Sequence, residues 1–348
     1  MTRFLTEMHE QPAALRAMLE YYSGEGAEKL RAFRDLHEKG ERALFFTGMG
    51  SSHHAPLAIQ GQLASAGLRA VVWEAGELLH YHLETCTEDT VMVAVSQSGE
   101  SAETQRVVEK IGGRCPVMVL TNEPDSALGR CGDLVLPLCA GEEAAISTKT
   151  YTNTLALLHL LATALTGGDL EQERTRLDRV AAAMEAFLAE GAEGMVGAAE
   201  FLEGANFLYF VARGPSLAAA YQGALIFNEG ARMPTCALSG GTFRHGPLEM
   251  VDREFAGVFF APKGKTRELT MSMAHEVAEA GGRVLLLADT SPEESGKRNR
   301  AVVVPEFGEA LFPLNACMPV ELLLHEMARQ RGREAGVFER ISKVTRRE

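Results

Sequence analysis

Residues 43–52, ALFFTGMGSS, and residues 208–216, LYFVARGPS, follow one pattern: an apolar run without polar alternation breaks into a turn built on glycine and serine. Such a run, too short for a helix and too continuous for a half-exposed strand, fits a strand covered on both faces of a parallel sheet. The pattern recurs further along. VMVAVSQSGES (91–101) is answered by GVFFAPKGKT (257–266), and PVMVLTNEPDS (116–126) by RVLLLADTSPEES (283–295), each at an offset close to 165 residues. Between the strands lie helical patterns such as ETQRVVEKI (103–111) and ELTMSMAHEVAEA (268–280). Strand, helix, strand written twice predicts two tandem doubly wound α/β domains related by duplication, each with a parallel sheet. The joint is expected near TGGDLEQERTRLD (166–178), giving domains at 1–168 and 169–332 and a tail at 333–348.

Composition narrows the function classes. With 46% hydrophobic and 23% charged residues, the 348-residue chain reads as globular. Its formal charge of −13 argues against a broad nucleic-acid or anionic-membrane surface, which needs clustered Lys and Arg. Six cysteines without CxxC or zinc spacing, and no secretory signal, lead to the expectation of a cytoplasmic protein with reduced thiols. LALLHLLATAL (155–165) is too short to span a bilayer and reads as a core helix. His53–His54 and His80–x–His82 lack an obvious third ligand, so no metal is expected.

In doubly wound sheets, ligands bind beyond the carboxyl ends of the strands. TGMGSSHHA has Gly48 and Gly50, but His53 stands where a dinucleotide fingerprint has its third glycine, which excludes NAD. The loop after the next strand is richer. Ser96, Gln97, Ser98, Gly99 and Ser101 run straight into a helix, placing hydroxyls beside the free N–H groups and positive dipole end that suit a phosphate. The alternative is that one serine is an N-cap, with Glu100 or Glu103 completing a capping box. The second half has PKGKT at the corresponding place, so one phosphate loop per chain is expected. Two further residues stand out there: Glu229 inside an otherwise apolar helical segment and His245 in a Gly–Pro turn.

SQSGES, STKTYT (147–152) and RHGPLEMVD (244–252) together resemble the sugar isomerase (SIS) domain family, and the likeness runs in order from EMHEQP (7–12) to KVT (343–345). Within it, the chain is most similar to the isomerase half of glucosamine-6-phosphate synthases and to SIS-type glucosamine-6-phosphate deaminases. The resemblance implies tandem flavodoxin-like SIS domains and a cofactor-free phosphosugar enzyme. It implies substrate contacts at Ser52, Ser96, Gln97, Ser98 and Ser101, with Ile146, Ser147 and Thr148 lining the sugar site. Glu229 matches the acid/base glutamate, His245 the ring-opening histidine that the synthase takes from a neighbouring subunit, and Lys343 the tail lysine that reaches the open-chain carbonyl. A homodimer with shared active sites is therefore expected. Thr242 replaces the synthase's acidic residue three positions before the histidine, and the chain opens at the isomerase half, so no glutaminase of its own is expected.

The chemistry fits these residue types. Moving a proton between C1 and C2 needs one carboxylate within hydrogen-bond reach, ring opening suits a histidine, and a carbonyl can be met by a mobile ammonium as oxyanion partner or imine former. The leading expectation is conversion of glucosamine 6-phosphate to fructose 6-phosphate and ammonia. Its rivals are a deglycase of 6-phosphorylated sugar–amino acid adducts, a simple aldose–ketose phosphate isomerase, and a sugar-phosphate-binding regulator. The last expects a basic helix-turn-helix segment that this sequence does not contain.

Overall fold

The doubled apolar runs become the inner strands of two five-stranded parallel sheets in the computed structural model, which describes residues 1–38, 42–291, 296–340 and 342–343. The first sheet comprises β1 (Ala43–Gly48), β2 (Ala70–Glu74), β3 (Thr90–Val95), β4 (Val117–Thr121) and β5 (Leu134–Pro137), in the order β2-β1-β3-β4-β5. The second comprises β6 (Leu208–Ala212), β7 (Thr235–Ser239), β8 (Ala256–Ala261), β9 (Arg283–Ala288) and β10 (Asn299–Val303), in the order β7-β6-β8-β9-β10. Both sheets thus have the flavodoxin-like order 2-1-3-4-5, as the sequence reading expects. Residues 292–295 of the run quoted to 295, and Val344 and Thr345 of the KVT ending, lie outside the described residues.

Register explains the core. In the first sheet Phe45 sits opposite Met92, Met92 opposite Val117, and Ala94 opposite Val119, so one pleat face is apolar across three strands. Val107, Val108 and Ile111 of the helix Ala102–Ile111 close over that face. The second sheet repeats the arrangement: Val211 pairs Phe259 and Phe259 pairs Leu286, covered by Met273, Ala274 and Val277 of the helix Arg267–Glu279. Each such fully buried side chain contributes on the order of 1.5–3 kcal/mol of transfer free energy.

The core helix predicted at 155–165 belongs to Lys149–Leu165, in which every residue from Lys149 to Ala164 is buried. A helix apolar nearly all round must be surrounded. The helices Gln11–Ser23, Ala27–Glu38 and Leu57–Ser65 pack against it, and Asn153 Nδ2 donates to the carbonyls of Ala14 and Leu138 at 3.0 and 2.8 Å. No described helix is long and apolar enough to cross a membrane. The chain divides into two compact units: Glu10–Ala181 with the described tail residues from Glu339, and Met1–His9 with Ala182–Phe338. The division falls within the helix Leu170–Glu190.

Candidate active site

In the first sheet β1 and β3 are neighbours, yet β1 leads outward to β2 and β3 leads the other way to β4. This reversal opens a crevice at the carboxyl ends of the two strands. The loops at 48–52 and 96–101 both begin there. At Gly48 a Cβ would lie 2.7 Å from the Val95 carbonyl oxygen and 2.9 Å from Ser52 Cβ, so only glycine lets half-buried Ser52 sit this near the strand ends.

The 96–101 loop is braced through its backbone. Ser96 N–H donates to Leu120 O (3.0 Å), Asn122 N–H and Thr121 Oγ1 donate to Gln97 O (3.0 and 3.2 Å), and Leu128 N–H and Gln105 Nε2 donate to Gly99 O (3.1 and 2.9 Å). Gly99 adopts φ +62°, and a Cβ there would fall 1.8 Å from Ser126 Oγ. Ser96 is buried, while Gln97, Ser98 and Ser101 are half-buried. Ser101 occupies the N-cap position of Ala102–Ile111 but makes no side-chain cap bond; its hydroxyl accepts from Thr104 Oγ1 at 3.3 Å. Glu100 accepts instead from Ala127 N–H, in the next helix, at 3.2 Å. Ser98 Oγ accepts from Glu100 N–H at 3.2 Å. The capping-box alternative is therefore not realised in this loop.

Asn122 carries the bracing onward, accepting from Ala140 N–H and donating to Gly141 O, both at 2.8 Å. Two residues later stands a group the sequence reading missed. Glu143 has a fully buried side-chain carboxylate that accepts from Thr148 N–H (2.8 Å), Thr148 Oγ1 (3.1 Å), Thr150 N–H (3.1 Å) and Thr150 Oγ1 (2.6 Å). It thereby caps the first turn of Lys149–Leu165 and fixes the segment carrying Ile146, Ser147 and Thr148. Ile146 and Thr148 are buried and Ser147 is half-buried. The same carboxylate holds Lys343: Nζ lies 2.7 Å from Glu143 Oε2, with only 14% of the lysine side chain exposed. The available signal was an acidic pair, Glu142–Glu143, just ahead of a Ser/Thr-rich helix start. EMHEQP likewise acquires a structural meaning, because Glu10 pairs with the Lys149 ammonium and Gln11 accepts from Thr152 Oγ1.

Glu229 and His245 belong to the other unit. Glu229 is the penultimate residue of the helix Leu217–Gly230 and is half-buried. His245 is exposed at the C-cap of the short helix Gly240–Arg244, its N–H bonded to Thr242 O at 3.2 Å, before Gly246 turns the chain. Thr242 is tied to that helix start: its N–H donates to the N-cap Ser239 Oγ at 3.1 Å and the two hydroxyls are 2.9 Å apart. At the corresponding crevice of the second sheet, between β6 and β8, the loop 262–266 faces an internal carboxylate. A Cβ on Gly264 would lie 2.4 Å from Glu309 Cδ, and Lys265 N–H donates to Glu309 Oε2 at 3.3 Å. His82 stacks on Trp73 with ring centroids 4.2 Å apart, and no group of three or more His, Cys, Asp or Glu among the described residues is arranged to hold a metal.

Comparison with known proteins agrees with this architecture. The model of the SIS domain matches residues 22–164 and 201–312. The glutamine–fructose-6-phosphate aminotransferase (isomerizing) of Thermococcus kodakarensis is 29% identical over 342 residues, covering 95% of this chain and 55% of the relative, so the chain spans about half the length of that protein. Among solved structures, the C-terminal domain of glucosamine-fructose-6-phosphate aminotransferase from Francisella tularensis superposes with a TM-score of 0.85 at 23% identity, covering 96% of this chain and 98% of that one. Glucosamine-6-phosphate deaminase from Thermotoga maritima gives a TM-score of 0.76 at 20% identity, covering 99% of both chains. With its family match spread over both sheets, and each sheet wound in the same order, this chain belongs to the SIS domain family.

Proposed function

We propose that the chain is a phosphosugar isomerase that deaminates glucosamine 6-phosphate, giving fructose 6-phosphate and ammonia. The observation that carries the reading is that one unit holds both a backbone-braced serine loop at the β1/β3 crevice and a tail lysine bound to Glu143, the carboxylate that also binds Thr148. The phosphate is bound by Ser96, Ser98 and Ser101, with Gln97 and Ser52 beside them. Hydroxyl donors and the first-turn amides of Ala102–Ile111 favour a dianion there. Ile146, Ser147 and Thr148 line the sugar.

His245 passes the O1 proton to the ring oxygen and opens the ring. Glu229 takes the proton from C2 and returns it to C1 through an enolamine, while O1 gains a proton and the C2 amino group gives one up, leaving an imine at C2 and an alcohol at C1. Water adds to that imine, and ammonia leaves as the C2 carbonyl forms. Lys343 supplies the ammonium that meets charge developing on oxygen at C1. His245 is supplied across a homodimer, a reading supported by the exposure of its side chain. The test is ammonia release from glucosamine 6-phosphate by purified protein, with fructose 6-phosphate formed in equal amount. Ketose formation from other 6-phosphosugars without ammonia would leave aldose–ketose isomerisation as the activity, since the same proton transfer serves both.

A further inference from the structure

A carboxylate whose side chain is fully buried needs its lone pairs filled. Four donors to Glu143 come from Thr148 and Thr150, close in sequence, and would suffice to cap a helix start. The fifth, the Lys343 ammonium, comes from 200 residues away. A helix start already capped by those four donors needs no charge from the chain terminus, so the lysine contact has another consequence: through Glu143 it ties the tail to the segment that ends in Thr148. We propose that Glu143 is the positioning residue of the C-terminal tail, its carboxylate anchoring Lys343 over the 146–148 segment and so setting where the ammonium is presented to substrate. This inference rests on the reading of Lys343 given above, but its first readout does not.

Glu143→Gln separates the two duties of the carboxylate. The amide oxygen still accepts from Thr148 N–H, Thr150 N–H and the Thr148 hydroxyl, and the Thr150 hydroxyl can turn to accept from the new NH2. That NH2 now confronts Lys343 Nζ, donor against donor, so the helix cap is kept and the tail contact is lost. Lys343→Met removes the contact from the other side and leaves the core carboxylate and its cap in place.

The experiment maps acylation of Lys343 by limiting acetic anhydride in the intact protein, alongside hydrogen exchange of tail residues 337–343. In Glu143→Gln, Lys343 labels faster by on the order of tenfold, as expected for a lost charge-assisted hydrogen bond. In Lys343→Met, whose core is untouched, tail exchange accelerates, so the result does not depend on the folding of the Gln variant. With glucosamine 6-phosphate as substrate, both variants lose kcat more than they raise KM, and the double variant is no worse than Lys343→Met alone. Unchanged labelling in Glu143→Gln or unchanged tail exchange in Lys343→Met overturns the anchor. Full turnover by Lys343→Met with accelerated tail exchange instead overturns the catalytic reading of Lys343 and keeps the anchor.

Discussion

Gly99 shows how tightly single residues are set in this site. Its φ of +62° is one that side chains resist, and the space a Cβ would need is filled by Ser126. Gly99→Ala should therefore lower stability by roughly 1–3 kcal/mol, read from urea denaturation, and, on the proposed role of the loop, weaken binding of the sugar phosphate because the loop must shift. His53 offers a pH signature beside it. Burial lowers its pKa from 6.5, with Glu74 opposing the effect. Above that value both folded and unfolded chains hold it neutral. As pH falls through 6.5 the unfolded chain takes up a proton that the folded one resists, so stability declines. His53→Gln should flatten the stability profile between pH 7.5 and 5.5, measured by denaturant midpoints at each pH.

At the level of elements, the strands legible in the sequence and those that were not differ by position in the sheet. β1, β3, β4, β6, β8 and β9 are inner strands whose residues are almost all buried, and they read as continuous apolar runs. β2, β5, β7 and β10 are the four edges. All four are half-exposed; AVVWE, TCALS and NRAVV mix polar with apolar residues, and LVLP, though apolar, is only four residues long and ends in proline, so none reads as a long continuous apolar run. The stretch 155–165 of the helix Lys149–Leu165 was legible for the opposite reason, being apolar at nearly every position, whereas its buried but polar first turns, 149–154, were not. Leu158, fully buried in it, should cost about 2–5 kcal/mol when cut to Ala, visible as an earlier urea midpoint with unchanged slope.

For the whole molecule, the serine loop, the 146–148 segment and Lys343 lie in one compact unit, and Glu229 and His245 in the other. If His245 serves a neighbour's site, complementation follows from symmetry. Glu229→Gln and His245→Ala should each be nearly inactive, by about 10²-fold or more if each group carries proton transfer. Mixed in equal amounts and allowed to exchange subunits, they should recover about a quarter of wild-type activity, because half of the dimers carry one intact site of two. Ammonia release after mixing checks this; no recovery despite subunit exchange shown by mass would place His245 in its own chain's site.

The sequence by itself determined the repeated strand-and-helix order, the inner strands and the serine loop after β3, because each is written in adjacent residues whose periodicity or turn chemistry is local. It also marked Glu229, His245 and Lys343, through motifs read in order along the chain. Only the tertiary structure decided that Ser101 is not a side-chain cap, that Glu309 packs against the loop 262–266, and that Glu143 pairs with Lys343. A carboxylate gathering donors from residues 148, 150 and 343 has no period and no motif. It exists because folding brings those donors to one buried point, where a carboxylate left without them would be costly.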